Sequence, residues 1–114
     1  METVDLRDLV HFDPDGALTH DVLESPHLWS QLVCLERNQQ HGPVSDPGSD
    51  ALFVVVAGEV VLQAGKSRKR LRQWGSGLAP AGTEVTVTNA SVDPAVVLVV
   101  AAPPPPPTPS EPAR

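Results

Sequence analysis

The side chains able to do chemistry in this chain are few and scattered. Its histidines, His11, His20, His27 and His41, show no H-x-H or H-x3-H spacing, so none of them is paired by sequence to grip one metal ion. They read as ordinary surface or hydrogen-bonded histidines at loops and strand edges. His41 keeps different company: the stretch "HGPVSDPGSD" puts Asp46 and Asp50 in the same loop, and an imidazole with two carboxylates is a donor set for a displaced metal site. That stretch lacks the ligand spacing and closing glutamate of a calcium loop. Ser30, Ser45, Ser49, Ser67, Ser76, Ser91 and Ser110 have no nucleophile-elbow context, and Cys34, inside "LWSQLVCLE", has no adjacent base. Cys34 therefore reads as a small buried hydrophobe. The run "KSRKRLR", from Lys66 to Arg72, holds five of the eight basic residues. Such a cluster suits phosphate, but the absence of tyrosine and an aromatic content of 4% leave little to stack on bases. A solvated edge strand, whose charges discourage pairing with other edges, accounts for it.

The elements that must position these residues are strands. A chain of 114 residues, 40% hydrophobic and 19% charged, suits one domain with a single core. A net charge of -6 repels phosphates and anionic lipids, so neither nucleic acid nor membrane is expected as a partner. The runs "ALFVVVA" and "AVVLVVAA" are too short to span a bilayer, and "METVDLRDLV" lacks the basic and apolar regions of a secretory signal. A single cysteine excludes an intramolecular disulfide, and a cytoplasmic location is the expectation. From residue 17 to 102 no segment of helical length repeats apolar residues at i, i+3, i+4 and i+7, whereas short β-branched runs recur between turn signals. Strands are expected over residues 17–24, 28–36, 51–57, 59–64, 68–73, 84–89 and 95–101, with turns at "SDPGSD", "GKS", "WGSG" and "PAG". This predicts an all-β domain over residues 1–102 whose first 16 or so residues form an arm. "ALFVVVA" and "AVVLVVAA" do not alternate, so their outer sides, including Leu52, Val54 and Val56, need a cover. The arm or a second subunit would provide it, and a homodimer is expected. The segment "PPPPPTPSEPAR", residues 103–114, holds seven of thirteen prolines, cannot join a sheet, and reads as a disordered Pro-rich tail.

Two stretches, taken in order, carry a resemblance. "NQQHGPVSDPGSDALFVVVAGEV" ends its apolar strand at Gly58, and "GSGLAPAGTEVTVTN" supplies Gly77, Pro80, Ala81, Gly82 and Asn89. The pair is similar to the two motifs of the small single-domain cupins, over roughly residues 12–101. The resemblance implies a cupin-like double-stranded β-helix, a small jelly-roll barrel. It also implies a metal site built from two histidines and a carboxylate of the first motif and a histidine of the second. Counted from Gly58 and from "PAG", those positions fall on Val44, Asp46, Ala51 and Val85. Valine and alanine offer no lone pair, and one carboxylate falls short of the ligands a transition metal needs, so neither metal nor other cofactor is expected.

Strand alternation places Ala51, Phe53 and Val55 on one inward set. The expected ligand-binding lumen is thus Val44, Asp46, Ala51, Phe53, Val55 and Val85, an apolar surface that either packs shut or holds a small apolar ligand. Alternation from an inward Val85 turns Glu84 outward, which leaves Asp46 as the lone general base and no catalytic residue assigned. The expectation is a metal-free cupin acting as a small-molecule-binding or regulatory module. The alternatives are a cupin enzyme, with a rebuilt metal site or metal-free chemistry in the barrel, and a structural interaction protein.

Overall fold

The computed structural model describes residues 1–106 and forms nine strands, preceded by a 3-10 turn over Leu6–Leu9. The strands are β1 Leu18–Ser25, β2 Leu28–Leu35, β3 Gln40–Val44, β4 Asp50–Ala57, β5 Glu59–Ala64, β6 Ser67–Arg72, β7 Ser76–Ala79, β8 Val85–Thr88 and β9 Ala95–Ala102. They build two antiparallel sheets, one in the order β1-β2-β9-β4-β7 and one in the order β3-β8-β5-β6. Alternation decides which residues face inward. On β4, Phe53 and Val55 are 3% and 0% exposed, while Leu52 looks outward at 40%. On β8, Val85 and Val87 turn in and the intervening threonine lies half-buried. The inward residues of both sheets, Val33 and Leu35 with Phe53, Val60, Val87 and Val97 among them, meet in one core.

The outer face of the larger sheet is covered at one end by the N-terminal arm. Leu32, Cys34 and Val96 form a second cluster there, packed against Leu6, Leu9, Val10 and Phe12 of the arm and against Val56 of β4. Asp5 caps the 3-10 turn: its carboxylate accepts from the Arg7 backbone N–H at 3.0 Å and from its guanidinium at 2.7 Å, which lowers its pKa to about 2. Further along, Gln39 Nε2 donates to the Asp13 carbonyl at 2.6 Å. Burial pushes the Cys34 thiol pKa up, which keeps it protonated and unreactive, as a small hydrophobe should be. At the other end of the sheet the arm gives no cover: Leu52 lies between Val100 and Leu78, and Leu78 is 66% exposed.

Two strands were not among those expected, and each has a local reason. β3 contains Gly42 and Pro43, residues that read as a turn. Gly42 has φ +106°, and a Cβ there would come 2.5 Å from the Val85 carbonyl oxygen, so the close β3–β8 approach requires glycine. β7 begins inside "WGSG", where Ser76 and Gly77 pair with β4 instead of turning; its sequence holds no β-branched residue. Asp46 and Asp50 correspondingly occupy different elements, a loop and the first position of β4.

Gly58, the closing glycine of the first motif, has φ +76° between β4 and β5, and a Cβ would stand 2.5 Å from the Pro94 carbonyl oxygen. Asn89, the closing residue of the second motif, is fully buried and ties three backbone segments together. Its Nδ2 donates to the carbonyls of Leu35 (3.1 Å) and Asp93 (2.8 Å), and its Oδ1 accepts from Ser91 N–H at 3.0 Å. β6, the basic run, is an edge strand paired with β5 and mostly exposed, with Arg70 in an ion pair with Glu59. Among the described residues no helix is long and apolar enough to cross a membrane. Residues 107–114 of the Pro-rich tail, for which disorder is expected, lie outside the described residues.

Candidate functional site

A cavity of about 530 Å3 opens between the two sheets. Its walls come from the inward positions of strands whose deeper residues form the core. β3 and β8 contribute His41, Val44 and Val85, with Val44 and Val85 directly opposite each other in the ladder. β4 contributes Ala51 and Phe53, and β9 contributes Val99 and Ala101. From β2 come Trp29 and Gln31, which alternate inward with the core residues Val33 and Leu35. The rim is more polar: Asp21 on β1, then Ser45, Asp46 and Ser49 of the loop between β3 and β4, and Thr83.

Five of the six residues expected to line the lumen, Val44, Asp46, Ala51, Phe53 and Val85, border this one cavity. Val55 lies deeper, 0% exposed in the closed core and away from the cavity wall. The lumen is thus shut at the level of Val55 and open at the level of Phe53. Asp46 is held at the rim by its own loop. Its Oδ1 accepts from Gly48 N–H at 2.8 Å, and its carbonyl accepts from Gly82 N–H at 2.8 Å, which joins the loop to the "PAG" turn. The carboxylate of Asp50 accepts instead from Ala81 N–H at 2.8 Å. His41 and Asp46 therefore share the cavity but Asp50 is not on its wall, and the displaced metal site sketched from sequence does not assemble around the three. Among the described residues no group of three or more His, Cys, Asp or Glu side chains stands where it could hold a metal ion.

Sequence reasoning missed the contributions of β1 and β2. A signal was present: Gln31 is the one polar residue among the inward positions of β2, between Trp29 and Val33, which marks a wall that is wetted and not packed. His41 lies on β3, an edge strand of the smaller sheet, opposite Val87 and half-buried. Burial lowers its pKa below the ordinary value near 6.5, so its imidazole is neutral at pH 7 and can both donate and accept a hydrogen bond. The charged side chains on the wall are the carboxylates Asp21 and Asp46, and the lining among the described residues includes no lysine or arginine.

No protein-family model and no curated protein matches the sequence. Solved structures do. The TT1209 protein of Thermus thermophilus is 33% identical, with a TM-score of 0.87 over 92% of this chain and 100% of its own. An RmlC-like cupin protein from Desulfovibrio desulfuricans superposes with a TM-score of 0.81 at 24% identity, over 91% of this chain and 98% of its own. The chain has the small cupin fold. The double-stranded β-helix recurs in a conserved Klebsiella pneumoniae protein, with a TM-score of 0.84 at 17% identity over 90% of each chain. In this cupin fold the positions that the family resemblance gives to metal ligands are Val44, Asp46, Ala51 and Val85. Three carry only alkyl groups, which offer no lone pair.

Proposed function

We propose that this cupin is a metal-free module that binds a small apolar molecule in its barrel, with a binding or regulatory role, as a homodimer in the cytoplasm. The observation that carries the reading is the cavity itself. Where the family resemblance puts metal ligands there is a pocket of about 530 Å3, within the range of small-molecule sites, walled by Val44, Ala51, Phe53, Val85 and Val99. A few polar groups stand at its edge, and the neutral imidazole of His41 and the Gln31 amide can orient a ligand that carries one hydroxyl or carbonyl. The carboxylates of Asp21 and Asp46, with no cationic partner on the wall, disfavour an anion. The exposed apolar end of the larger sheet around Leu52 and Leu78 supports a second copy as its cover, and the lone buried Cys34 supports a reducing compartment.

The test is titration with a neutral apolar fluorophore, N-phenyl-1-naphthylamine, against the parent chain and against Ala51→Trp, which fills the cavity from β4. Saturable binding that Ala51→Trp abolishes is the expected result. A parent chain that does not bind, or a variant that binds equally, would show that the cavity is not a ligand site.

A second reading has one observation in its favour. His41 and Asp46 border the same cavity, and a neutral imidazole and a carboxylate can each serve as a general base, so metal-free chemistry on a bound molecule would run through these two.

A further inference from the structure

We infer that the first prolines of the C-terminal segment form a strap that docks on the cavity mouth and competes with the ligand. The inference rests on the reading of the cavity as a ligand site and adds its regulation. β9 ends between the ends of two cavity strands: Ala101 stands opposite Trp29 of β2, and Ala102 stands opposite Asp50 of β4. The chain that leaves this point does not turn away into solvent. The Pro103 carbonyl accepts a hydrogen bond from Ser49 Oγ at 2.5 Å, and Ser49 is itself 5% exposed. Pro104 and Pro105 are half-buried, and Pro105 and Pro106 form part of the cavity wall on which Trp29, Ser49 and Phe53 also lie.

The chemistry suits this position. A proline run gives up no internal hydrogen bonds when it docks and has little backbone freedom left to lose. Its rings are apolar and match a mouth that holds an indole and an aliphatic floor, the general logic by which proline-rich segments are recognised on aromatic-lined grooves. It also carries carbonyl acceptors without N–H donors, and the Ser49 hydroxyl is the donor the mouth supplies. The cavity of about 530 Å3 is present with Pro105 and Pro106 in its wall, so the competition falls on a ligand that extends through the mouth and must displace their rings. Among the described residues, one hydrogen bond and the rings of Pro105 and Pro106 hold the strap, which makes it displaceable.

The test keeps the chain at full length. Trp74, 74% exposed, is changed to Phe so that Trp29 is the only fluorophore. In that background one variant carries Pro104→Gly, Pro105→Gly and Pro106→Gly, and another carries Ser49→Ala. Acrylamide quenching of Trp29 reads strap docking without any ligand, and titration with N-phenyl-1-naphthylamine reads competition. The expected results are a larger quenching constant in both variants and probe binding about fivefold tighter, the weight of roughly one net hydrogen bond. Unchanged quenching overturns the strap while leaving the cavity reading intact if the probe binds. Raised quenching with unchanged probe affinity shows a docked segment that does not compete, and overturns the inference too. If no variant binds the probe, the ligand-site reading fails and competition falls with it, whereas raised quenching would still record the docked segment.

Discussion

Combining Val44→His, Asp46→His, Ala51→Glu and Val85→His should turn the cavity into a divalent-metal site, and the strand register sets the size of the effect. Val44 and Val85 are direct partners across β3 and β8. Such partners hold their Cβ atoms about 4.5–5.5 Å apart, close enough for two imidazoles to meet one ion at Zn–N distances of about 2.0–2.1 Å. Ala51 borders the same space from β4, Asp46 borders it from the loop, and Val44 is 43% exposed, so an ion can enter. Without metal the variant carries the cost of a polar ring at Val85, which is 3% exposed; an unsatisfied buried polar group costs about 1–3 kcal/mol in proteins. With metal at one hundred times Kd, the folded state gains about 2.7 kcal/mol. At roughly 4–8 °C per kcal/mol for a domain of this size, the Tm should rise by roughly 10–20 °C over the metal-free variant. The assay is a thermal melt with nickel or zinc, reversed by a chelator and compared with the parent chain. A variant with a native far-UV spectrum and no metal-dependent rise would refute the placement of these four positions around one cavity.

Three further outcomes are expected. Phe53→Ala should destabilise by about 3–5 kcal/mol in urea, through lost burial and an enlarged cavity, whereas a change below about 1 kcal/mol would place Phe53 at the surface. His41 has a folded-state pKa lowered below 6.5, so its neutral form is favoured in the fold; its contribution is fully present above pH 6.5 and is lost as pH falls from there toward the lowered value. His41→Gln should therefore flatten the loss of stability just below pH 6.5, and equal pH profiles for both chains would contradict the burial of His41. Light scattering should give a dimer near twice 12.1 kDa, and Val54→Asp, on the outer face beside Leu98 and Ser76, should yield monomers or unfold the chain. A parent chain monomeric at high micromolar concentration, with Val54→Asp tolerated, would rule out the dimer on this face.

Much of the fold was legible because β-branched runs announce themselves. β5 coincides with the expected residues 59–64, and β4 and β9 differ by one residue at an end. β3 and β7 were illegible because Gly42, Pro43 and Gly77 are turn residues by composition, and their strand state is imposed by pairing with β8 and β4. The lower part of the site was readable from the two motifs, since Val44, Ala51 and Val85 sit at positions counted from Gly58 and "PAG". The depth of the lumen was not: alternation puts Phe53 and Val55 on one face, but only the facing sheet determines that one borders a cavity and the other is sealed. Trp29, Gln31 and Asp21 come from strands distant in sequence, and no local pattern ties them to the motifs. Pro105 and Pro106 were grouped with a tail on composition alone, which carries no information about the groove beside which β9 ends.

An apolar pocket where the family resemblance places a metal should leave the barrel without a bound transition-metal ion. Elemental analysis of the protein, purified without chelator and without an affinity metal, tests it most directly. Iron, manganese, nickel, zinc and copper are expected far below stoichiometric amounts. One equivalent of any of these, lost in His41→Ala or Asp46→Ala, would contradict it.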